Sequence, residues 1–209
     1  MDTIKHNLAR LYNCDKTGIT IVQHKHAKIL GLKGKRQTSS LQSAERGSLV
    51  TVVNCISPTG HFISLLLVFP RKNMKQELMN GTQPGSIHAC DPSWCIQSEI
   101  FPQWFLHFIK HTKLTKEDPV ILVLDRQYSH TRNLEVIILA REYHADIICQ
   151  QPHSSHKMQP LDKAFMGPLK TLYCQEIEEW FRSHPGRVVT CTKLANYSEM
   201  HTSEMQQAK

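Results

Sequence analysis

Two apolar runs joined by four turn-forming residues constrain this chain most. Leu49–Ile56 reads LVTVVNCI, His61–Phe69 reads HFISLLLVF, and Ser57, Pro58, Thr59 and Gly60 separate them. β-Branched and aromatic side chains pack well on a pleated surface, and Pro and Gly reverse the chain, so the pair predicts a β-hairpin. Phe62–Phe69 has the length of a core strand and falls far short of the ~18 apolar residues of a membrane span. Mean hydropathy is -0.36, and 209 residues suffice for one domain with its own core.

The remaining elements follow the hairpin in a mixed order. Leu8–Cys14 predicts a short strand running into Asp15, and residues 17–47 predict turns with a short strand. Residues 70–97 predict irregular chain, since Pro70, Gly81, Pro84, Gly85 and Pro92 interrupt them. In Ser98–Lys113, Ile100, Phe101, Trp104, Phe105, Phe108 and Ile109 recur at helical spacing. Val120–Leu124 predicts a fully buried strand ending at Asp125, Leu134–Tyr143 an amphipathic helix, and Ile147–Cys149 another short strand. Asp162–Arg182 predicts a long helix whose Pro168 kinks it or marks its first turn. Strand, hairpin, helix, strand, helix, strand, helix is an α/β layout with an antiparallel start and a parallel finish. Residues 191–209 predict a poorly ordered tail.

Charge is unevenly placed. The formal net charge is +7, yet Lys16–Lys75 holds ten basic residues and one acid, Glu45, for +9. Lys25, Lys28, Lys33, Lys35 and Arg36 are densest, with Gly31 and Gly34 between them; such a segment is a solvated loop or follows a phosphate backbone closely. The seven cysteines contain no CxxC pair, and Met1 is followed by Asp2, Lys5 and Arg10 rather than a secretory leader. Reduced thiols in an intracellular protein are the expectation.

Three acids fall at element ends: Asp15, Asp125 and Asp162. Each alone has an ordinary reading as a turn former or helix cap. Together, at the carboxyl ends of strands, they repel one another unless a hard divalent cation sits between them. Mg²⁺ suits such a set, and two ions about 4 Å apart would activate water and stabilise the leaving oxygen of a phosphodiester. No P-loop, GxGxxG or GxSxG occurs, which argues against nucleotide kinase, dehydrogenase and serine hydrolase chemistry. His107 and His111 stand at i, i+4 spacing but lack the HExxH glutamate, and His153 and His156 lack a cysteine pair for zinc. Trp94, Trp104 and Trp180 are expected as core or interface anchors.

Several blocks, in order, carry a family resemblance: YNCDKTGIT (12–20), ERGSLVTVV (45–53), VFPRKN (68–73), PGSI (84–87), LVLDRQYSH (122–130) and PHSSHKMQPLDKAFMGPLK (152–170). They resemble the catalytic domain of DDE-superfamily endonucleases, the pogo/Tigger-type transposases and their domesticated relatives. The resemblance implies an RNase H-like fold over residues 1–190, incomplete at its C-terminal end, and Mg²⁺-dependent DNA cleavage and strand transfer, with Mn²⁺ as a substitute ion. It implies catalytic and metal-binding roles for Asp15, Asp125 and Asp162, DNA as partner and the nucleus as location. Lys25, Lys28, Lys33, Lys35, Arg36, His130, His153 and His156 are the expected DNA contacts.

The sequence departs from the family at several points. Lys16, Arg126 and Lys163 each follow a candidate acid directly, Gln127 stands where the family has His, and Gln150–Gln151 replace Leu-Pro. A positive charge ~8 Å from the ion costs roughly 2 kcal/mol at an effective dielectric of about 20 before screening, unless strand alternation turns it away. These departures, and an N-terminus that begins almost on the first strand, make a relic copy the alternative expectation: an inactive DNA-binding or protein-interaction domain.

Overall fold

The computed structural model describes residues 4, 7–20, 49–80, 82–93, 98–125, 133–151, 159–161 and 165–185. Six strands form one sheet: β1 (Leu11–Thr20), β2 (Leu49–Ile56), β3 (Phe62–Phe69), β4 (Ile87–Cys90), β5 (Val120–Leu124) and β6 (Ala145–Cys149). Their spatial order is β4-β3-β2-β1-β5-β6. β2 is antiparallel to both neighbours, and every other pairing is parallel. The helices are α1 (Ile100–Thr112), α2 (Leu134–Glu142) and α3 (Met166–Ser183).

The hairpin forms where expected. Gly60 adopts φ 81°, which a side chain would disfavour. The Gly60 amide donates to the Ser57 carbonyl (2.9 Å), and the His61 amide donates to Ser57 Oγ (3.0 Å). Across the sheet, alternation separates two cores. Tyr12, Cys14, Val53, Cys55, Leu122 and Leu124 pack against α1 and α2. Ile19, Val50, Val52, Leu65 and Leu67 pack against Leu169, Tyr173 and Ile177 of α3. α1 supplies a stack of rings, with Phe108 5.7 Å from Trp104 and 5.3 Å from Tyr12 between centroids.

Four boundaries differ from expectation. Leu8–Arg10 is a 3-10 turn, capped by Asn7, and β1 then runs through Thr20, so Asp15 lies inside the strand rather than after it. Pairing of Lys16–Thr20 with Leu49–Val53 supplies the hydrogen bonds that extend β1. The stretch expected to be irregular contains a 3-10 turn, Gln76–Met79, and strand β4, which hydrogen-bonds to β3 despite its flanking prolines. α3 begins at Met166 and carries Pro168 in its first turn, where a missing amide costs nothing.

At the amino end of β5, Arg10 closes the fold. Its guanidinium donates to the carbonyls of Thr112 (3.0 Å) and Asp118 (2.6 Å) and pairs with the Asp118 carboxylate (2.9 Å). It thereby satisfies a carbonyl left open at the end of α1. Cys14, Cys55 and Cys90 are free thiols.

Candidate functional site

The site is set by register between two parallel strands. Leu11, Tyr12 and Asn13 pair with Ile121, Leu122 and Val123. Two residues beyond the last pair, the same register brings Asp15 level with Asp125 at the carboxyl end of β5. Asp15 belongs to the α3 face of β1, because Tyr12 and Cys14 occupy the other, and Asp125 directly follows β5. Asp15 is 9% exposed, and Asp125 is half-buried. Electrostatics agrees with this placement. Burial pushes the Cys14 thiol well up, the hydrogen bond and charge of Cys55 add to it, and the charges of Asp15 and Asp125 raise it further.

Amide side chains line the same face. Asn54, fully buried, pairs with Asp15 across β1 and β2. Its Nδ2 lies 3.8 Å from Met166 Sδ at the start of α3, and its Oδ1 has no hydrogen-bond partner among the described residues. Asn13 Oδ1 is likewise buried without a partner there. Gln159, also fully buried, donates to the Cys14 carbonyl (3.1 Å) and accepts from Asn13 Nδ2 (3.0 Å) and Gln150 Nε2 (2.9 Å). It thus fastens the segment before α3 to β1, one residue from Asp15. Leu161, which precedes Asp162 in sequence, is buried with Ile56 and Met166. An open cleft of about 770 Å³, lined by Leu11, Asn13, Val123, Gln150 and Leu161 among others, adjoins this cluster.

Of the expected site residues, Asp15 lies within β1 and Asp125 directly after β5, each two residues past the Asn13–Val123 pair. Asp162, Lys25, Lys28, Lys33, Lys35, Arg36, His130, His153 and His156 lie outside the described residues, as do Arg126, Gln127 and Lys163. Lys16 pairs with Val53 and belongs to the α1 face, so its ammonium stem starts away from Asp15. Asn13, Asn54 and Gln159 carry no sequence signature of a site; their one signal is polarity inside apolar strands or beside a strand end. His107 Nε2 donates to the Ser64 carbonyl (3.0 Å) and His111 Nδ1 to the His107 carbonyl (2.9 Å), so these rings are tied to the backbone. Trp104 is core, and Trp180 packs beside α3's cluster with His184 stacked on it at 4.9 Å.

The donor set beside Asp15 consists of hard oxygens: two carboxylates and the two unpaired amide oxygens. Hard oxygens are what Mg²⁺ and Mn²⁺ select, so these residues fit such an ion. Among the described residues no third His, Cys, Asp or Glu completes a metal-holding group.

A family model described as DDE superfamily endonuclease matches residues 47–199. The chain belongs to the DDE superfamily endonucleases. The matched region contains Asp125 and Asp162 and begins after Asp15. Structural likeness in the fold includes β1. The Mos1 transposase paired-end complex with left transposon end matches at TM-score 0.54 and 13% identity, over 97% of this chain and 54% of that one. A pre-cleavage Mos1 transpososome matches at 0.54 and 15% identity, over 96% and 57%. The mariner Mos1 paired-end complex with Mg matches at 0.52 and 15% identity, over 96% and 53%. At these identities the likeness establishes the fold: RNase H-like, a mixed sheet flanked by helices. The chain spans little more than half the length of these Mos1 chains.

A curated relative, the MFS-type transporter clz9 of Cochliobolus lunatus, is 31% identical over 170 residues, covering 79% of this chain and 18% of that protein. A name describing a whole protein does not pass to a DDE domain that spans 18% of it. Among the described residues, no helix is long and apolar enough to cross a membrane.

Proposed function

We propose that this DDE domain binds DNA and cleaves or transfers its phosphodiester bonds with a divalent ion held by Asp15, Asp125 and Asp162. The observation that carries the reading is the parallel β1–β5 pairing, in which Asp15 and Asp125 each follow the Asn13–Val123 pair by two residues. Neighbouring strands run ~5 Å apart, so two carboxylates at that separation repel by about 3 kcal/mol at an effective dielectric of ~20. A cation between them reverses that cost. Mg²⁺ or Mn²⁺ bound there would polarise the scissile phosphate and lower the pKa of an attacking water.

The chain's own residues do the rest. The sheet fixes the spacing of Asp15 and Asp125. Asn54 is paired with Asp15 across β1 and β2, and Gln159 holds the segment leading to Asp162 against β1. The basic residues of Lys16–Lys75 draw in the phosphate backbone. Lys16 facing the opposite side removes one objection to ion binding. The Mos1 structures of like fold are complexes with a transposon end and with Mg, which supports DNA and a divalent ion here by analogy of fold. Chromosomal DNA as substrate implies a nuclear location.

Incubating the purified chain with supercoiled plasmid and Mg²⁺ or Mn²⁺ tests the reading. Nicked circles are expected, abolished by chelation and by Asp125→Asn. Nicking that survives Asp125→Asn overturns the site assignment. Salt-sensitive DNA binding with no nicking in either ion leaves the inactive DNA-binding domain instead.

A further inference from the structure

After β3 the chain carries three cations in five residues, Arg71, Lys72 and Lys75, all exposed. None is in an ion pair with a described residue. The turn beneath them is anchored rather than loose. The Arg71 amide donates to the Phe69 carbonyl (2.8 Å), Met74 packs against the α3-side core with Cys90 Sγ 3.7 Å from its sulfur, and Leu78 is buried in the same core. Of the nearby acids, Glu77 is exposed, whereas Asp91 is buried and accepts from the amide and hydroxyl of Ser93. The turn therefore presents a fixed, net positive surface.

Its position follows from the pairing. Gly18 lies across from Thr51, and Thr51 from Val68, so the end of β3 is level with the end of β1. Asp15 sits three residues earlier on β1. Three residues along a strand and two strand spacings across amount to roughly 15 Å between Val68, near the end of β3 where the turn leaves, and Asp15. The strands place both at the carboxyl end of the parallel set. Thr20 and Leu49, between which the chain supplies Lys25–Arg36, are paired at that same end.

We propose that Arg71, Lys72 and Lys75 form a preorganised rim that contacts the phosphate backbone of duplex DNA flanking the cleavage centre. The proposal rests on the DNA reading above and adds a second contact to it. Duplex DNA advances ~3.4 Å per base pair, so roughly 15 Å corresponds to about four base pairs from the scissile phosphate. Contacts of this kind position the duplex without reading its sequence.

The test is fluorescence anisotropy of the full chain on a duplex oligonucleotide across a salt series. One variant is Arg71→Gln/Lys72→Gln/Lys75→Gln. A control removes the same charge at the opposite end of the sheet, with Lys110→Gln/Lys113→Gln/Lys116→Gln, three exposed residues in the last turn of α1 and the loop from it to β5. Each phosphate contact contributes ~0.9 to the slope of log K against log salt, so the rim variant is expected to lose about 2 to 3 units of slope and bind at least ~10-fold more weakly. The control is expected to lose less than one unit. Arg71→Lys, which keeps the charge, is expected to keep the slope, and circular dichroism is expected to be unchanged throughout. Equal losses in rim and control variants, or an unchanged slope in the rim variant, overturn the rim. Displacement of the duplex by polyglutamate at equal charge concentration also overturns it, in favour of an acidic protein partner. Failure of the unmodified chain to bind the duplex at any salt overturns the DNA reading itself.

Discussion

The two faces of strand β1 have opposite chemistry. Toward α1, Tyr12 and Cys14 enter a dry aromatic core with Phe105, Phe108 and Trp104. Toward α3, Asn13 and Asp15 meet Asn54 and Gln159, and two buried amide oxygens are without a hydrogen-bond partner among the described residues. Close packing and full satisfaction of polar groups favour the folded state; unpaired buried oxygens oppose it. One strand thus separates stability from chemistry by parity alone. A slip of one residue would exchange the faces, sending Asp15 into the aromatic core.

The largest effect is expected on the dry face. Phe108→Ala removes a fully buried ring in contact with Tyr12, Trp104 and Phe105, and should cost about 3–5 kcal/mol, read as a lower urea midpoint. A loss under about 1 kcal/mol would mean the aromatic stack is not the main support of the fold. On the polar face, Asp15→Asn should raise ion-free stability, by up to about 3 kcal/mol, because it removes a like-charge repulsion while keeping the shape. It should abolish stabilisation by Mg²⁺ or Mn²⁺, which in the unmodified chain is expected to reach about 2.7 kcal/mol at a hundredfold excess over Kd. Thermal melts with and without ion read both. A variant that keeps the ion-dependent shift would break the assignment of chemistry to that face.

The smallest effect is a pH dependence on the α1 side. Burial, then the charges of His111 and Lys110, hold His107 below the usual histidine value, against the hydrogen bond to the Ser64 carbonyl that raises it. Burial, then His111 and Arg10, do the same for His61. For a base with a depressed folded pKa, the unfolded chain binds the proton first. Stability is therefore intact above the ordinary histidine pKa of ~6.5 and falls as pH drops from there through the depressed values. His107→Gln should flatten that slope in melts between pH 7 and about 5. An unchanged slope would place the acid sensitivity elsewhere.

Much of the fold was legible residue by residue. The hairpin around Gly60, the helix carrying Phe101, Phe105 and Phe108, and the buried strand before Asp125 each declare themselves through local pattern and turn chemistry. β4 did not, because Ile87–Cys90 is short, flanked by prolines and held by its hydrogen bonds to β3 rather than by its own propensity. The reach of β1 to Thr20 was hidden for the same reason: its last five residues are strand because β2 pairs with them.

The acids were legible as candidates, and the family blocks around them as a resemblance. Their amide surroundings were not. Asn13, Asn54 and Gln159 are separated by 41 and 105 positions, and nothing local distinguishes them from turn or surface amides. Sequence alone determined the hairpin, the strand before Asp125, the helices and which residue types are available for chemistry, since periodicity and turn preference act over a few residues. The tertiary structure decided that β1 pairs in parallel with β5, two residues short of Asp15 and Asp125, and that Lys16 takes the α1 face. It also set Arg71, Lys72 and Lys75 at the same end of the sheet, because inter-strand register is fixed only when distant strands pair and bury their apolar faces.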